Sequence, residues 1–200
     1  MIRNIIFDLG NVLFTWRPKE FLLGFTPNEQ RIEEFLPRVP QNPTWYEIDR
    51  GTITLDQAKA IFLKRHPEDK DLIEYYFEHW LEMFVPIEGT VDLINQLKQR
   101  GLRVYLLSNL TEIAHTYLSQ KYDLFQLFDG MVFSFQEHRI KPEPEIYKTL
   151  LERFSLLPGE CLYIDDIAPF VAVAKNLGMM GIVFTTASEL RSQLHELGIL

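Results

Sequence analysis

The sequence predicts an α/β protein: a doubly wound parallel sheet with a small α-helical cap domain inserted after the first strand. Two observations support this prediction. From about residue 90 onward, short apolar runs alternate with helical patterns, which is typical of a parallel sheet with right-handed crossovers. The first two apolar runs are separated by roughly 75 residues, far more than a crossover helix needs, so an inserted domain is expected.

Five short apolar runs are the predicted strands, and each is expected to be buried on both faces of the sheet. They cover residues 4–7, 103–107, 130–133, 160–164 and 181–184. Apolar periodicity predicts helices over 91–100 and 145–154, and the segment 169–177 is rich in Ala and Val. Residues 1–14 and 87–200 therefore form the predicted α/β core.

Residues 15–86 form the predicted helical cap. Apolar periodicity predicts cap helices over 32–36, 54–65 and 72–84. Thr54 and Gln57 have the spacing of a capping box at a helix start. We expect Trp16, Arg17 and Trp45 to face the cleft beneath the cap. The residues expected instead to pack the cap helices together are Tyr75, Tyr76, Trp80 and Phe84.

Composition and charge limit the classes of function. The chain has 28 acidic and 20 basic residues, and it lacks the basic stripe that nucleic acid binding requires. Cys161 is the single cysteine, which fits a reducing cytoplasm. The N-terminal apolar run is too short for a secretory signal, and no segment approaches the about 18 apolar residues of a membrane span. We expect a cytoplasmic monomer or weak homodimer that binds neither nucleic acid nor membranes.

Polar residues follow four of the predicted strands, at the edge where open parallel sheets bind ligands. Each has an ordinary interpretation as a helix cap, a turn or a surface residue. Their convergence at one edge of the sheet instead predicts a functional site. In chain order they are Asp8 and Gly10, Ser108 and Asn109, Lys141, and Asp165 and Asp166.

The carboxylates among these residues point to phosphoryl transfer. A carboxylate such as Asp8 can attack phosphorus to give an aspartyl-phosphate. Asp165 and Asp166 are adjacent, so each raises the pKa of the other at a buried strand end. A divalent cation removes that penalty, and Mg²⁺ suits a few hard oxygen ligands that leave room for water and phosphate.

The remaining polar residues can bind the transferred group. The hydroxyl of Ser108, the amide of Asn109 and their backbone N–H groups can donate hydrogen bonds to phosphoryl oxygens. Lys141 opens a segment in which two prolines hold the backbone extended and then start a helix. A rigidly held Lys141 can neutralise both the nucleophile and the transferred group.

These four motifs resemble those of the haloacid-dehalogenase-like hydrolase superfamily, in order and over the whole chain. They are Phe7-Asp8-Leu9-Gly10-Asn11, Leu107-Ser108-Asn109, Lys141-Pro142-Glu143-Pro144 and Ile164-Asp165-Asp166. The resemblance implies magnesium-dependent hydrolysis of a small-molecule phosphate ester, with Asp8 as nucleophile. It also implies that Asp8, the Gly10 carbonyl and Asp166 bind the metal with support from Asp165, while Ser108, Asn109 and Lys141 hold the phosphoryl group.

Within the superfamily, the chain is similar to sugar-phosphate phosphatases with a helical cap. The cap segment Asp49-Arg50-Gly51-Thr52-Ile53 resembles an acid-Arg-Gly-x-Ile segment of that branch and favours substrates like glucose 1-phosphate. Two departures stand out. Gly10 replaces the second Asp that usually serves as general acid, and Pro169-Phe170-Val171-Ala172 occupies the stretch where an Asn and then an acid usually follow the fourth motif. The expected consequences are slow turnover of alkyl phosphates and weaker support for the metal ligands and Lys141.

Two other functions stay open on the sequence. A 2-haloacid dehalogenase also lacks the second Asp and uses a carboxylate nucleophile, but it needs no metal. The pair Asp165-Asp166 argues against it, because two acids beside an uncharged substrate have no counter-ion. The non-enzymatic alternative is a phosphate-ligand-binding protein of the same fold, which Gly10 and the altered segment at 169–170 favour.

Overall fold

The computed structural model describes residues 1–200, and five parallel strands form its central sheet in the order β3-β2-β1-β4-β5. The first strand lies in the middle, between β2 and β4. This arrangement confirms the doubly wound parallel sheet. The strands are β1 Asn4–Phe7, β2 Arg103–Ser108, β3 Gly130–Phe133, β4 Cys161–Asp165 and β5 Met180–Val183.

Helices cover both faces of this sheet, because alternate residues of the buried strands point to opposite sides. Ile5 and Phe7 belong to one apolar cluster, and Ile6 belongs to the other. The first cluster includes α6 and α11, and the second includes α9 and α10. The helices that follow the inserted segment are α6 Glu88–Gln99, α7 Glu112–Lys121, α8 Ser134–Glu137, α9 Pro144–Arg153, α10 Ala168–Asn176 and α11 Ala187–Glu196.

The segment between β1 and α6 is helical. Its helices are α1 Pro18–Leu23, α2 Glu29–Phe35, α3 Pro43–Asp49, α4 Leu55–Arg65 and α5 Lys70–His79. The capping box is present, since Thr54 and Gln57 exchange both hydrogen bonds at the start of α4. The single helix predicted over 72–84 is wrong beyond His79, where the chain tightens into a 3₁₀ turn over Trp80–Met83.

The two connections between this helical segment and the sheet run side by side. The backbone N–H of Thr15 donates to the Val85 carbonyl at 2.9 Å, and that of Ile87 donates to Leu13 at 2.8 Å. One apolar cluster also continues from the sheet into helices α1–α5. The chain thus leaves and re-enters the α/β layer at one point, although the domain division at 15–86 stays a prediction.

The strand β5 departs from the expectation of burial on both faces. It is the last strand of the sheet, and its residues Met180 and Val183 are exposed while Ile182 is buried. An edge strand has a neighbour on one side only, so part of its surface meets solvent. None of the helices has both the length and the apolar character needed to cross a membrane.

Candidate active site

The centre of the site is a buried ion cluster at the carboxyl ends of β1 and β4. Lys141 Nζ lies 2.6 Å from Asp8 Oδ1 and 2.8 Å from Asp165 Oδ2. Asp8 follows β1 directly, and its backbone N–H donates to the Ile164 carbonyl of β4 at 2.8 Å. Three residues that are far apart in sequence therefore meet at one edge of the sheet, because parallel strands end on the same side.

The Lys141 backbone is fixed by Asn109. Lys141 N donates to Asn109 Oδ1 at 2.8 Å, and Asn109 Nδ2 donates to the Lys141 carbonyl at 3.1 Å. The helix α9 begins just after this segment, as its prolines predict. The Asn109 amide is thus used to position Lys141. Ser108 is buried at the end of β2, where its hydroxyl donates to the Asn109 carbonyl at 3.3 Å.

Asp165 holds the ammonium group from the other side. Its Oδ2 accepts hydrogen bonds from Lys141 and from the Tyr163 hydroxyl, and its Oδ1 accepts one from the backbone N–H of Ile167 at 2.8 Å. Both carboxylate oxygens of Asp165 are therefore already bonded to the protein. These contacts hold the Asp165 carboxylate in place, so it can orient the Lys141 ammonium group.

Asp166 receives its support from a residue that the sequence analysis did not single out for this role. Asn11 Nδ2 donates to Asp166 Oδ2 at 3.1 Å, while Asn11 Oδ1 accepts from the backbone N–H of Trp16 at 2.8 Å. Asn11 adopts a positive φ of 52°, which asparagine tolerates better than most residues. Asn11, which belongs to the first motif, thus provides the hydrogen bond to Asp166 that the altered segment after the fourth motif does not.

The charges of the cluster are out of balance. The carboxylate oxygens of Asp8, Asp165 and Asp166 lie within 4.8 Å of one another, with the Lys141 ammonium beside them. Burial raises the pKa of Asp8 to about 7, although Lys141 lowers it. Burial also raises the pKa of Asp166. Three acids and one ammonium leave a deficit of positive charge in a desolvated place, and a divalent cation with hard oxygen ligands fits this donor set.

Lys141 itself stays charged. Burial alone would lower its pKa, but the carboxylates of Asp165 and Asp8 outweigh that effect and raise the pKa above its ordinary value. The ring of Phe170 also lies 5.2 Å from Nζ, close enough for a favourable contact with a cation. Phe170, in the segment where an Asn and an acid were expected, therefore covers the ammonium group with an aromatic face.

A cavity of about 370 Å³ opens above the ion cluster. Asp8, Gly10, Asn109, Lys141 and Asp166 line its floor, as the sequence predicts for a shared site. Ser108 and Asp165 do not reach its surface, and neither does Arg17. The aromatic residues of the cavity wall are Trp16, Trp45, Tyr46, Trp80, Phe84 and Phe170. Trp80 and Phe84 thus line the cleft as well as packing the helices around it.

One cavity residue was missed as a site residue. Asp49 ends α3 and lines the same cavity as Asp8 and Lys141. In the sequence, Asp49 was significant only as part of a cap segment. The signal available in the sequence was an acid directly before Arg-Gly in that segment, but nothing in the sequence states which way the segment faces.

The fold and the site define a hydrolase with a carboxylate centre at the strand ends of a parallel α/β sheet. A family model described as haloacid dehalogenase-like hydrolase matches residues 2–178, so the chain belongs to that hydrolase family. The sesquiterpene phosphatase of Aspergillus oryzae is 27% identical over 190 residues, covering 93% of each chain. The D-ribitol-5-phosphate phosphatase of Bacteroides thetaiotaomicron is 24% identical and covers 89% of each chain.

A solved structure gives the same result for the fold. A haloacid-dehalogenase-like family enzyme of Bacteroides thetaiotaomicron, determined as a magnesium complex, superposes with a TM-score of 0.73 at 26% identity. The match covers 97% of this chain and 98% of that one. The family resemblance stated from the four motifs is confirmed.

Proposed function

We propose that the chain is a magnesium-dependent phosphatase that hydrolyses a small phosphorylated metabolite through an aspartyl-phosphate on Asp8. The observation that supports this most is the position of the Lys141 ammonium, 2.6 Å from Asp8 and 2.8 Å from Asp165. An anionic carboxylate can approach a dianionic ester only where positive charge is already in place. Lys141 supplies part of that charge in a site where burial makes it effective.

In the proposed reaction, an Asp8 oxygen attacks phosphorus while the bond to the leaving oxygen breaks and its electron pair departs with that oxygen. Water then attacks the phosphorus of the aspartyl-phosphate, which releases inorganic phosphate and restores the Asp8 carboxylate. Lys141 faces the anionic group through both steps. Asn109, which lines the cavity, is the proposed donor to the phosphoryl oxygens, through its backbone N–H because its side-chain amide binds Lys141. Ser108, which the sequence placed in the same role, lies beneath the cavity surface and is proposed to support Asn109.

The proposed metal ligands are the carboxylates of Asp8 and Asp166 and the carbonyl of Gly10, with Asp165 in support. A bound magnesium ion would offset the negative charge of the phosphoryl oxygens. The magnesium complex of the related family enzyme supports the choice of ion. The support of Asp166 by Asn11 at 3.1 Å also fits a ligand that must keep one orientation.

A sugar phosphate is the first substrate class that we propose, because a relative is a D-ribitol-5-phosphate phosphatase. A specific observation favours a second class. The wall of the cavity presents Trp16, Trp45, Trp80 and Phe84, which can bury an apolar leaving group, and another relative is a sesquiterpene phosphatase. A prenyl-type phosphate is therefore the second candidate, and both belong in one substrate panel.

The two alternatives from the sequence make different predictions. A dehalogenase would release halide from a 2-haloacid without metal, and the three clustered carboxylates would then have no dication to offset their charge. A phosphate-binding protein would bind esters and release no phosphate. Measuring phosphate release from sugar phosphates and prenyl-type phosphates, with and without magnesium, distinguishes these functions from a phosphatase.

The test compares the parent protein with Asp8→Asn, and with Asp56→Asn as a control on an exposed cap residue. We expect magnesium-dependent phosphate release by the parent and by the control, and none by Asp8→Asn. Metal-independent halide release, or tight phosphate binding without turnover, would reject the proposed phosphatase.

A further inference from the structure

The proposed reaction lacks a proton donor in its usual place. Gly10 has no side chain, and a Cβ at this position would meet only Trp16 Cβ, at an unstrained 3.9 Å. The position two residues after the nucleophile is therefore open space. An alkoxide that leaves phosphorus is strongly basic and departs much faster when an acid protonates it, typically by about 10²–10⁴-fold. A proton donor must therefore come from another part of the cavity wall.

Asp49 is the acidic side chain on that other side. It is the last residue of α3, and it lines the cavity together with Asp8 and Gly10. Its backbone carbonyl accepts a hydrogen bond from Ser134 Oγ, but its carboxylate takes part in no hydrogen bond or ion pair within the protein. A carboxylate in a cleft without a partner is available for a ligand.

Asp49 is fixed relative to the ion cluster by its neighbours. Ser134 Oγ, which bonds the Asp49 carbonyl at 2.5 Å, also accepts from the backbone N–H of Leu110 at 2.9 Å, just beyond Asn109. Arg50 forms two hydrogen bonds with Glu143, at 2.6 and 3.0 Å, two residues after Lys141. The end of α3 is thus attached to the two loops that position Lys141, and Asp49 keeps its place above the floor of the cavity.

A close backbone contact completes this attachment. Gly51 has a φ of 72°, and a Cβ there would come within 2.8 Å of the Phe135 carbonyl oxygen. Only glycine allows the cap segment to approach helix α8 this closely. His138, the residue directly after α8, adds a contact of 3.0 Å between Nδ1 and the Arg50 carbonyl.

The surroundings of Asp49 favour its protonated form. Burial raises the pKa of Asp49 to about 7, and the nearby Lys141 only partly opposes this. Tyr76 faces Asp49 from α5, and its buried hydroxyl has no hydrogen-bond partner. Asp8 and Asp166, also in the cavity, are acidic and would not stabilise a further negative charge. A substantial fraction of Asp49 therefore carries a proton at neutral pH, as a general acid must.

We infer that Asp49 is the catalytic acid of this site and takes the role that Gly10 cannot fill. As Asp8 attacks phosphorus and the bond to the leaving oxygen breaks, the Asp49 carboxyl transfers its proton to that oxygen and an alcohol departs. The Asp49 carboxylate then accepts a proton from the water that attacks the aspartyl-phosphate, so both carboxyl groups return to their starting states. This inference rests on the proposed phosphatase function.

The test uses esters whose leaving groups differ in their need for a proton. In Asp49→Asn, we expect kcat/KM for an alkyl phosphate to fall by about 10²–10⁴-fold, and kcat/KM for p-nitrophenyl phosphate by less than about tenfold, because nitrophenolate leaves without protonation. The alkaline limb of the pH profile on the alkyl ester should disappear as well. Asp56→Asn, on the exposed face of the cap, is the matched control and should leave both rates unchanged.

A second variant guards against a purely structural effect. Since the space beside Gly10 is open, Gly10→Asp should restore most of the alkyl phosphate rate in the Asp49→Asn background. An equal loss on both esters would show that Asp49 only binds substrate and would overturn the inference, as would no loss on either. If the parent releases no phosphate from any ester with magnesium, or Asp8→Asn is as active as the parent, the proposed function itself fails and the inference falls with it.

Discussion

The guanidinium of Arg50 and the carboxylate of Glu143 form a paired contact, with N–O distances of 2.6 and 3.0 Å. Glu143 Oε2 also accepts from the backbone N–H of Ile140 at 3.2 Å, next to Lys141. This ion pair therefore adds a side-chain link between the end of α3, where Asp49 lies, and the loop that presents Lys141. Together with the contacts of Ser134 and His138, it holds Asp49 and Lys141 in the same cavity.

Replacing either partner of the Arg50–Glu143 ion pair should disturb the active site. We expect Arg50→Ala and Glu143→Ala each to lower kcat/KM on alkyl phosphates, and the double variant to be no worse than the poorer single one. Such a cycle typically gives a coupling energy of about 0.5–3 kcal/mol for groups in direct contact. Lys19→Ala, which breaks an exposed pair with Glu33, is the control. Strictly additive losses would count against the link.

Replacing Lys141 should destabilise the protein when metal is absent. In Lys141→Met, the carboxylates of Asp8 and Asp165 stay buried without their ammonium partner, and breaking a buried pair in this way costs about 3–5 kcal/mol. Magnesium should restore part of this loss, because the ion supplies the missing charge. Thermal unfolding with and without magnesium measures both effects. Lys148→Met on the exposed face of α9 should unfold like the parent, and similar behaviour of Lys141→Met would contradict the prediction.

Removing the amide of Asn11 should weaken the metal site. Asn11→Gly keeps the positive φ of 52° accessible while deleting the hydrogen bond to Asp166. Loss of a group that orients a metal ligand typically costs about 10–100-fold in metal affinity. Magnesium titration of activity measures this shift. Ser155→Gly, at an exposed position that also has a positive φ, is the control and should bind magnesium like the parent. An unchanged magnesium affinity in Asn11→Gly would show that Asn11 does not support the metal site.

Neutralising Asp49 should stabilise the protein in a pH-dependent way. The folded protein raises the pKa of Asp49 to about 7, so folding is favoured while the group is protonated and this contribution is lost as the pH rises through that value. Asp49→Asn removes the charge of this half-buried carboxylate and should therefore raise Tm relative to the parent at pH 8, with a smaller difference at pH 5. Melting curves at the two pH values check this. An equal difference at both would mean that the Asp49 carboxyl is not desolvated in the folded state.

The sheet and the cluster at its edge follow from local signals in the sequence. Each predicted strand lies within one residue of its observed ends, because short apolar runs between polar segments have few other stable structures. Parallel strands then bring Asp8 and Asp166 to one edge, and Asn109, at the end of β2, brings Lys141 to the same edge. The relation of Asp8, Lys141 and Asp166 is a consequence of topology, so the sequence alone was sufficient to predict it.

Helices without strong periodicity were harder to predict. The helix α3 has seven residues and starts at Pro43, and α1 has six and starts at Pro18. Segments this short show less than two full turns of an apolar stripe, and tertiary contacts decide their structure. The role of Asp49 was missed for the same reason, since only the packing of α3 against Phe135 and Ser134 turns its carboxylate towards the cavity.

The central claim is that Asp8 becomes covalently phosphorylated, and trapping that intermediate tests it most directly. The parent protein would be mixed with magnesium and a substrate ester, quenched within one turnover, reduced with borohydride and analysed by peptide mass mapping. We expect homoserine in place of Asp8, formed only when both magnesium and ester are present. Phosphate release with an unmodified Asp8, or with the modification on another residue, would contradict the account.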